Sequence, residues 1–299
     1  MIRRHTSVGV RCAIVIAATI TLAAAPQQRF RSNIDVVTMN VAVRLGGAPV
    51  AGLRSEDFAV TDDHILQKVE VTAARDMPAD ITLLIDTSGS MDGTMDDMRA
   101  QVRAVARHIG ANDRLRLVTF SGQVREVFGF RSSADELPLD SLVAGGWTAL
   151  NDALSLALIH QPAPERGHLI LVFSDAIDSA STVDLATLEE LTRRSEAVMR
   201  TFVVIPKPPN VSRRVLPSRE RPPMPPAGNI STLTGGEATF MDASDDISDV
   251  FKQALDEFRR RYVIRYARQG VNHTGWHAVS VEVKRPGNFE VRTRRGYVQ

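Results

Sequence analysis

Ile81-Thr82-Leu83-Leu84-Ile85-Asp86-Thr87-Ser88-Gly89-Ser90 sets a short, nearly unbroken apolar run directly before a loop of small, oxygen-bearing residues. An apolar run of this length, bounded by turn-forming residues, is the pattern of a β-strand covered on both faces. The loop leads into Met95–Ile109, where apolar residues recur at helical spacing. In sheets built of strand–loop–helix units, ligands bind beyond the carboxyl ends of the strands. Asp86, Ser88 and Ser90 alternate along the loop, so an extended backbone turns all three the same way, and Gly89 permits the bend. A single serine would suffice to cap the following helix. One carboxylate with two hydroxyls instead suits a hard cation that takes oxygen ligands and tolerates water in its shell.

Downstream the same grammar repeats. Leu115–Phe120 reads as a strand, paired with Val124–Phe130 through Ser121-Gly122-Gln123. Thr148–Ile159 reads as an amphipathic helix, Leu169–Phe173 as a buried strand, Val183–Met199 as a helix and Thr201–Ile205 as a strand. Residues 206–228 carry eight prolines and several arginines, and such a stretch cannot pack a core, so it reads as a surface loop. The pattern resumes at Asn229, with a turn at Gly235-Gly236, a strand at Ala238–Met241 and a helix from Ile247 to about Arg260. Strands alternating with helices predict an α/β fold with a Rossmann-like, doubly wound, mostly parallel sheet. Two further residues then fall in equivalent places. Thr148 follows Gly145-Gly146-Trp147 before a helix, and Asp175 follows the strand that ends at Phe173-Ser174.

The flanks differ. Ile34–Leu45 alternates with a period of two, and Asp57–Ala73 supplies more strand, interrupted at Asp62-Asp63-His64. Beyond Tyr262 the chain again alternates in short strands: Tyr262–Ala267, Ala278–Lys284 and Phe289–Arg294. These ends are expected to meet in a small antiparallel β subdomain. The expected layout is a signal segment at 1–25, a β segment at 30–78, the α/β domain at 79–260 and a second β segment at 261–299.

Asp86-x-Ser88-x-Ser90, a threonine in a Gly-Gly-x-Thr loop at Thr148, and Asp175 at the end of a buried strand together resemble the metal-ion-dependent adhesion site of von Willebrand factor A domains. The resemblance covers roughly residues 79–260. Gly52-Leu53-Arg54-Ser55-Glu56-Asp57-Phe58 and Arg294-Arg295-Gly296-Tyr297 extend it, less specifically, to exported von Willebrand factor A-related proteins typical of acidobacteria. The resemblance implies a site for Mg²⁺, or for Mn²⁺ or Ca²⁺. Ser88 and Ser90 would be direct ligands, with Thr148, Asp86 and Asp175 binding directly or through water. It also implies an open coordination position that accepts an Asp or Glu carboxylate from a protein partner. Trp147 departs from the small or polar residue often found before the site threonine.

Composition bounds the remaining readings. The chain has 299 residues, 36 basic and 35 acidic, and the three arginines of the first 25 residues are unmatched by any acid. The remainder is therefore slightly acidic, which excludes nucleic acid as an expected partner. Arg3, Arg4 and Arg11 precede an apolar run from Cys12 to Ala25 that is shorter than the about 20 residues of a spanning helix. It reads as a secretory signal, with an uncleaved anchor as the alternative, and gives a periplasmic or secreted protein without a membrane span. The single cysteine, Cys12, lies inside it. An aspartic protease needs two Asp-Thr-Gly copies, whereas Ser88 stands in the glycine position here and no second copy exists. With no Ser-His-Asp set, Walker loop or zinc motif, the expected role is binding rather than catalysis. Recruitment of substrate for an envelope enzyme, or a structural role with an idle metal site, are the alternatives. His273 and His277, without a nearby Cys or paired carboxylates in sequence, read as surface or core residues. Asp178 reads as a support of the site or a simple turn residue, and the arginines at 259–261 and in the tail as a solvated face.

Overall fold

The computed structural model describes residues 36–91, 95–132, 137–163, 165–205, 223–242 and 245–299. The expected signal segment and most of the proline-rich stretch lie outside them. Residues Ile34–Gln299 form one compact unit.

The chain opens with the ten-residue strand β1 (Val36–Leu45), the short β2 (Ala48–Pro49), β3 (Phe58–Asp62), β4 (Ile65–Leu66) and β5 (Glu70–Ala73). The half-wet alternation read for Ile34–Leu45 is not what β1 shows: Met39–Val43 are buried without a break, because the second face packs on the chain at Glu196, whose carbonyl accepts from the Asn40 side chain. It is β3 that alternates, with Phe58, Val60 and Asp62 buried. The parallel part begins at β6 (Ala79–Asp86), buried along its whole length as its apolar run demands. Helix α1 (Met95–Arg107) returns the chain to β7 (Arg114–Phe120), and β8 (Val124–Arg131) folds back antiparallel to it. Then come α2 (Leu150–Leu158), β9 (Gly167–Ser174), α3 (Leu185–Arg194), β10 (Val198–Ile205), α4 (Pro226–Leu233), β11 (Glu237–Asp242) and α5 (Ile247–Arg259). The tail supplies β12 (Tyr262–Ala267), β13 (Trp276–Val283), β14 (Phe289–Arg292) and β15 (Gly296–Val298).

The central sheet has the order β11-β10-β9-β6-β7-β8, parallel except for β8. The chain leaves β6 toward β7 and later returns to β9 on the other side, so the strand order reverses between β6 and β9. Such a switch point opens a crevice at the carboxyl edge, where doubly wound proteins bind ligands. Period-two alternation divides the core. Ile81, Leu83 and Ile85 face α1 and α5 with Met98, Val102, Phe251 and Leu255, while Leu84 faces α2 to α4 with Leu154, Leu188 and Ile230.

Both ends of the described chain join the antiparallel part. One sheet runs β14-β1-β12-β5 with β2 at the side of β1, and the other runs β15-β13-β3-β4. Val36–Val41 pairs with Tyr262–Ala267, and Phe58–Asp62 pairs with Val279–Val283. Their shared core holds Met39, Val41, Phe58, Val60, Ile264, Tyr266 and Tyr297.

Three details differ from the sequence reading. The helix expected over 183–199 ends at Arg194. Ser195 caps its carboxyl end, and Val198-Met199 pairs with Leu169-Ile170 as the start of β10. Sheet pairing here overrides the helix preference of alanine and methionine. The loop expected to run to residue 228 gives way to α4 at Pro226, which occupies the first helical position, where proline's missing N–H costs nothing. The arginine face is only partly solvated. Arg261 and Arg294 are buried, Arg261 donating to the Gly235 carbonyl and Arg294 to the Thr38 and Ser195 carbonyls.

Candidate metal centre

Asp86 is the last residue of β6, fully buried at the switch point. Its Oδ1 accepts the Ser88 amide at 2.8 Å and its Oδ2 accepts the Ser174 hydroxyl at 2.5 Å. Burial pushes the Asp86 carboxyl up; hydrogen bonds from Ser174 and Ser88 oppose that rise, and the charge of Asp175 adds to it. The loop that follows is tied to β7, because the Thr87 amide and hydroxyl both donate to the Phe120 carbonyl. Ser88 is buried and Ser90 exposed, with their hydroxyl oxygens 3.1 Å apart.

The second loop is stitched to the first. Gly145 donates its amide to the Thr87 carbonyl at 2.8 Å, and Gly89 donates to the Gly146 carbonyl at 3.1 Å. Gly146 sits at φ +83°, a region L-residues rarely occupy. Next in the chain, buried Thr148 donates its amide to Ser179 Oγ at 2.9 Å, and its carbonyl accepts the amides of Ser179 and Ala180.

Asp175 opens the third loop directly after β9, half-buried, with Oδ1 accepting the Ile177 amide. Its neighbour Ala176 takes φ +60°, which turns the chain sharply away from the strand. The structure therefore gathers Asp86, Ser88, Ser90, Thr148 and Asp175 on three loops at one edge of the sheet. Asp178 serves the loop rather than the centre, since its Oδ1 accepts the Asn151 amide and the Ser181 hydroxyl.

Two contributors escaped the sequence reading. Ser174 holds Asp86, and its only signal was a hydroxyl at the end of an apolar run. Ser179 holds the Thr148 backbone from 31 residues away in sequence, with no local signal. Three large apolar side chains stand in solvent around the edge: Val143 (71% exposed), Trp147 (73%) and Ile177 (62%). The donor set fits a hard divalent cation, because carboxylates and hydroxyls are the oxygen ligands such ions prefer. Among the described residues, no helix is long and apolar enough to cross a membrane.

Residues 81–177 match the family model described as von Willebrand factor type A domain. No curated protein matches the chain. Among solved structures, a von Willebrand factor type A protein from Catenulispora acidiphila is 13% identical with a TM-score of 0.46, the match covering 90% of this chain and 75% of that one. The conserved hypothetical protein BatB from Bacteroides thetaiotaomicron is 15% identical with a TM-score of 0.45, over 60% of this chain and 98% of that one. Proximal thread matrix protein 1 from the mussel byssus, solved with a zinc-occupied MIDAS motif, is 16% identical with a TM-score of 0.48, over 65% and 49%. The matched stretch runs from Ile81 in β6 to Ile177 after β9, so the segment that builds this edge is the one similar to a von Willebrand factor type A domain.

Proposed function

We propose that this chain is an exported, non-catalytic binding protein that captures a protein partner through a divalent cation, Mg²⁺ for preference, at the edge built by Asp86, Ser88, Ser90, Thr148 and Asp175. The observation that carries this reading is the stitching of the three loops. The Gly89–Gly146, Gly145–Thr87 and Ser174–Asp86 hydrogen bonds tie together the loops that carry these oxygen-bearing residues, which supports the reading.

A bound dication would supply a coordination position for an incoming Asp or Glu carboxylate. The chain's own residues do the rest. Ser88, Ser90 and Thr148 contribute neutral hydroxyls, which leave the positive charge of an ion largely uncancelled. Asp86 is locked by its two hydrogen bonds, so it does not swing toward solvent. Trp147 and Ile177 present apolar surface beside the opening, and an exposed aromatic in that position suits burial against a partner. Export rests on the apolar N-terminal run.

The test is capture of envelope proteins by the immobilised chain in Mg²⁺, in EDTA, and with the Ser88→Ala variant, beside calorimetric titration of Mg²⁺ into the EDTA-treated chain. Capture and Mg²⁺ binding should both fall at least tenfold in the variant, and capture should fall equally in EDTA. Capture that is the same in all three conditions overturns the reading.

A further inference from the structure

At the opposite end of the sequence, the antiparallel sheets bring together four residues that local spacing does not connect. The β3–β4 hairpin turns through Asp63 and His64, both in the left-handed region at φ +46° and +67°. Asp63 donates its amide to the Ala278 carbonyl, and its Oδ1 accepts the Ala278 amide at 2.9 Å. This pins its carboxylate against β13 and leaves Oδ2 turned to two imidazoles. His273 Nε2 lies 2.7 Å from that oxygen, and His277 Nδ1 lies 3.0 Å from it. The three ligand-type atoms all lie within 4.8 Å of one another. The histidine rings stack with centroids 4.2 Å apart, and His277 stacks on Tyr297 at 4.8 Å. These stacks set the plane of a ring whose Nε2 has no hydrogen-bond partner.

Asp62 is the independent observation. It is fully buried, and its Oδ2 accepts the hydroxyls of Tyr266 at 3.0 Å and Tyr297 at 2.7 Å. Its Oδ1 is buried, makes no hydrogen bond, and stands 3.6 Å from His277 Nδ1. A buried carboxylate oxygen without a donor is costly, by about 1–3 kcal/mol or more for a charged group. A cation beside His277 Nδ1 would satisfy it.

We propose that Asp63, His273 and His277 form a second divalent-metal site, of the zinc class, that clamps the β3–β4 hairpin to β13, with the Asp62 carboxylate beside it as a counter-charge. The donors are Asp63 Oδ2, His273 Nε2 and His277 Nδ1. Tetrahedral zinc with bonds of about 2.0–2.2 Å separates its ligand atoms by about 3.3 Å. The observed 2.7 and 3.0 Å from Asp63 Oδ2 to the two imidazole nitrogens lie close to that value. Two carboxylates and two neutral imidazoles match the charge of a dication. Two nitrogen donors favour zinc, cobalt or nickel over magnesium or calcium. The side chain of His273 is 54% exposed, which leaves a path for the ion. Three protein ligands leave the fourth tetrahedral position to water.

The experiment titrates Zn²⁺ and Co²⁺ into the EDTA-treated full chain, with excess Mg²⁺ present to occupy the edge centre, and repeats it in Ser88→Ala. One equivalent of Zn²⁺ should bind in both proteins, raise their thermal midpoints, and be replaced by Co²⁺ with the visible absorption of a tetrahedral nitrogen–oxygen site. His273→Ala and Asp63→Asn should each weaken binding at least tenfold while keeping the metal-free thermal midpoint; asparagine tolerates the left-handed turn. Zn²⁺ binding that disappears in Ser88→Ala, or persists unchanged in both His273→Ala and Asp63→Asn, overturns the proposal. The cluster would then be a hydrogen-bonded pair of imidazoles on Asp63. Because Ser88→Ala is directed at the edge centre alone, failure here is separate from failure of the binding function.

Discussion

Asp86 has both carboxylate oxygens engaged inside the protein, and the 2.5 Å bond from Ser174 is the shorter of the two. A hydrogen bond to a charged group contributes about 1.5–3 kcal/mol. Ser174→Ala is therefore expected to leave Asp86 free to rotate and to weaken Mg²⁺ binding roughly tenfold, read by calorimetry, with the circular dichroism spectrum unchanged. His168 presents the contrasting case of a titratable group away from the edge. It is buried, with Nε2 2.9 Å from Thr82 Oγ1 and Nδ1 without a partner. Burial pushes its pKa down to about 3; neighbouring His160 and Arg116 add to the fall and Asp80 opposes it. Folding therefore holds it neutral. The stability it contributes is complete above the unfolded value near 6.5 and is lost as pH falls toward 3. At pH 5 the loss relative to pH 7 is about 2 kcal/mol. His168→Gln should flatten that decline in urea midpoints. Equal declines in both proteins would show that other groups set the acid limit.

At the scale of elements, the edge depends on loops whose backbone is as specific as their side chains. Gly146 at φ +83° lets the second loop present its carbonyl to Gly89. A Cβ there meets nothing closer than 3.7 Å, so Gly146→Ala introduces backbone strain without a clash. The expected cost is about 1–2 kcal/mol, seen as a lower thermal midpoint together with weaker Mg²⁺ binding. A variant with unchanged midpoint and affinity would refute it. The same elements show what sequence can and cannot disclose. The run Ile81–Ile85 announced a buried strand because burial on both faces favours apolar residues at successive positions, and Asp86, Ser88 and Ser90 followed from its end. The boundary between α3 and β10 was not legible, since Ala197-Val198-Met199 suits either state and only pairing with β9 decides it. Proline at 226 resembled loop and proved to be a helix start. Ser179 and the Asp62–His277 contact were hidden for another reason: nothing local marks a contact between residues 31 or 215 positions apart.

Across the whole molecule, buried arginine joins the two architectures. Arg294 extends from the tail beside β15 to the Thr38 carbonyl on β1, the Ser195 carbonyl after α3 and the Met39 sulfur. Burial pushes its guanidinium pKa down, against the charge of Glu196. Arg294→Met should remove donors from buried carbonyls and cost about 3 kcal/mol or more. Arg295→Met, at an exposed neighbour, should stay within about 0.5 kcal/mol. Chemical denaturation of the two variants side by side tests this, and equal midpoints would deny Arg294 its joining role.

The register of β1 also has a temporal consequence. Val36 is matched to Ala267, and Leu45 to Phe289, so apart from the two-residue β2 this strand is made more than two hundred residues before its partners β12 and β14. Until they emerge, Met39 and Val41 have no partner strand on either side, and the nascent polypeptide carries an unzipped, sticky ribbon. The α/β core can close in the meantime, but the hairpin carrying Asp62 and Asp63 waits for β13. Closure of the antiparallel sheets therefore waits on the strands that follow α5.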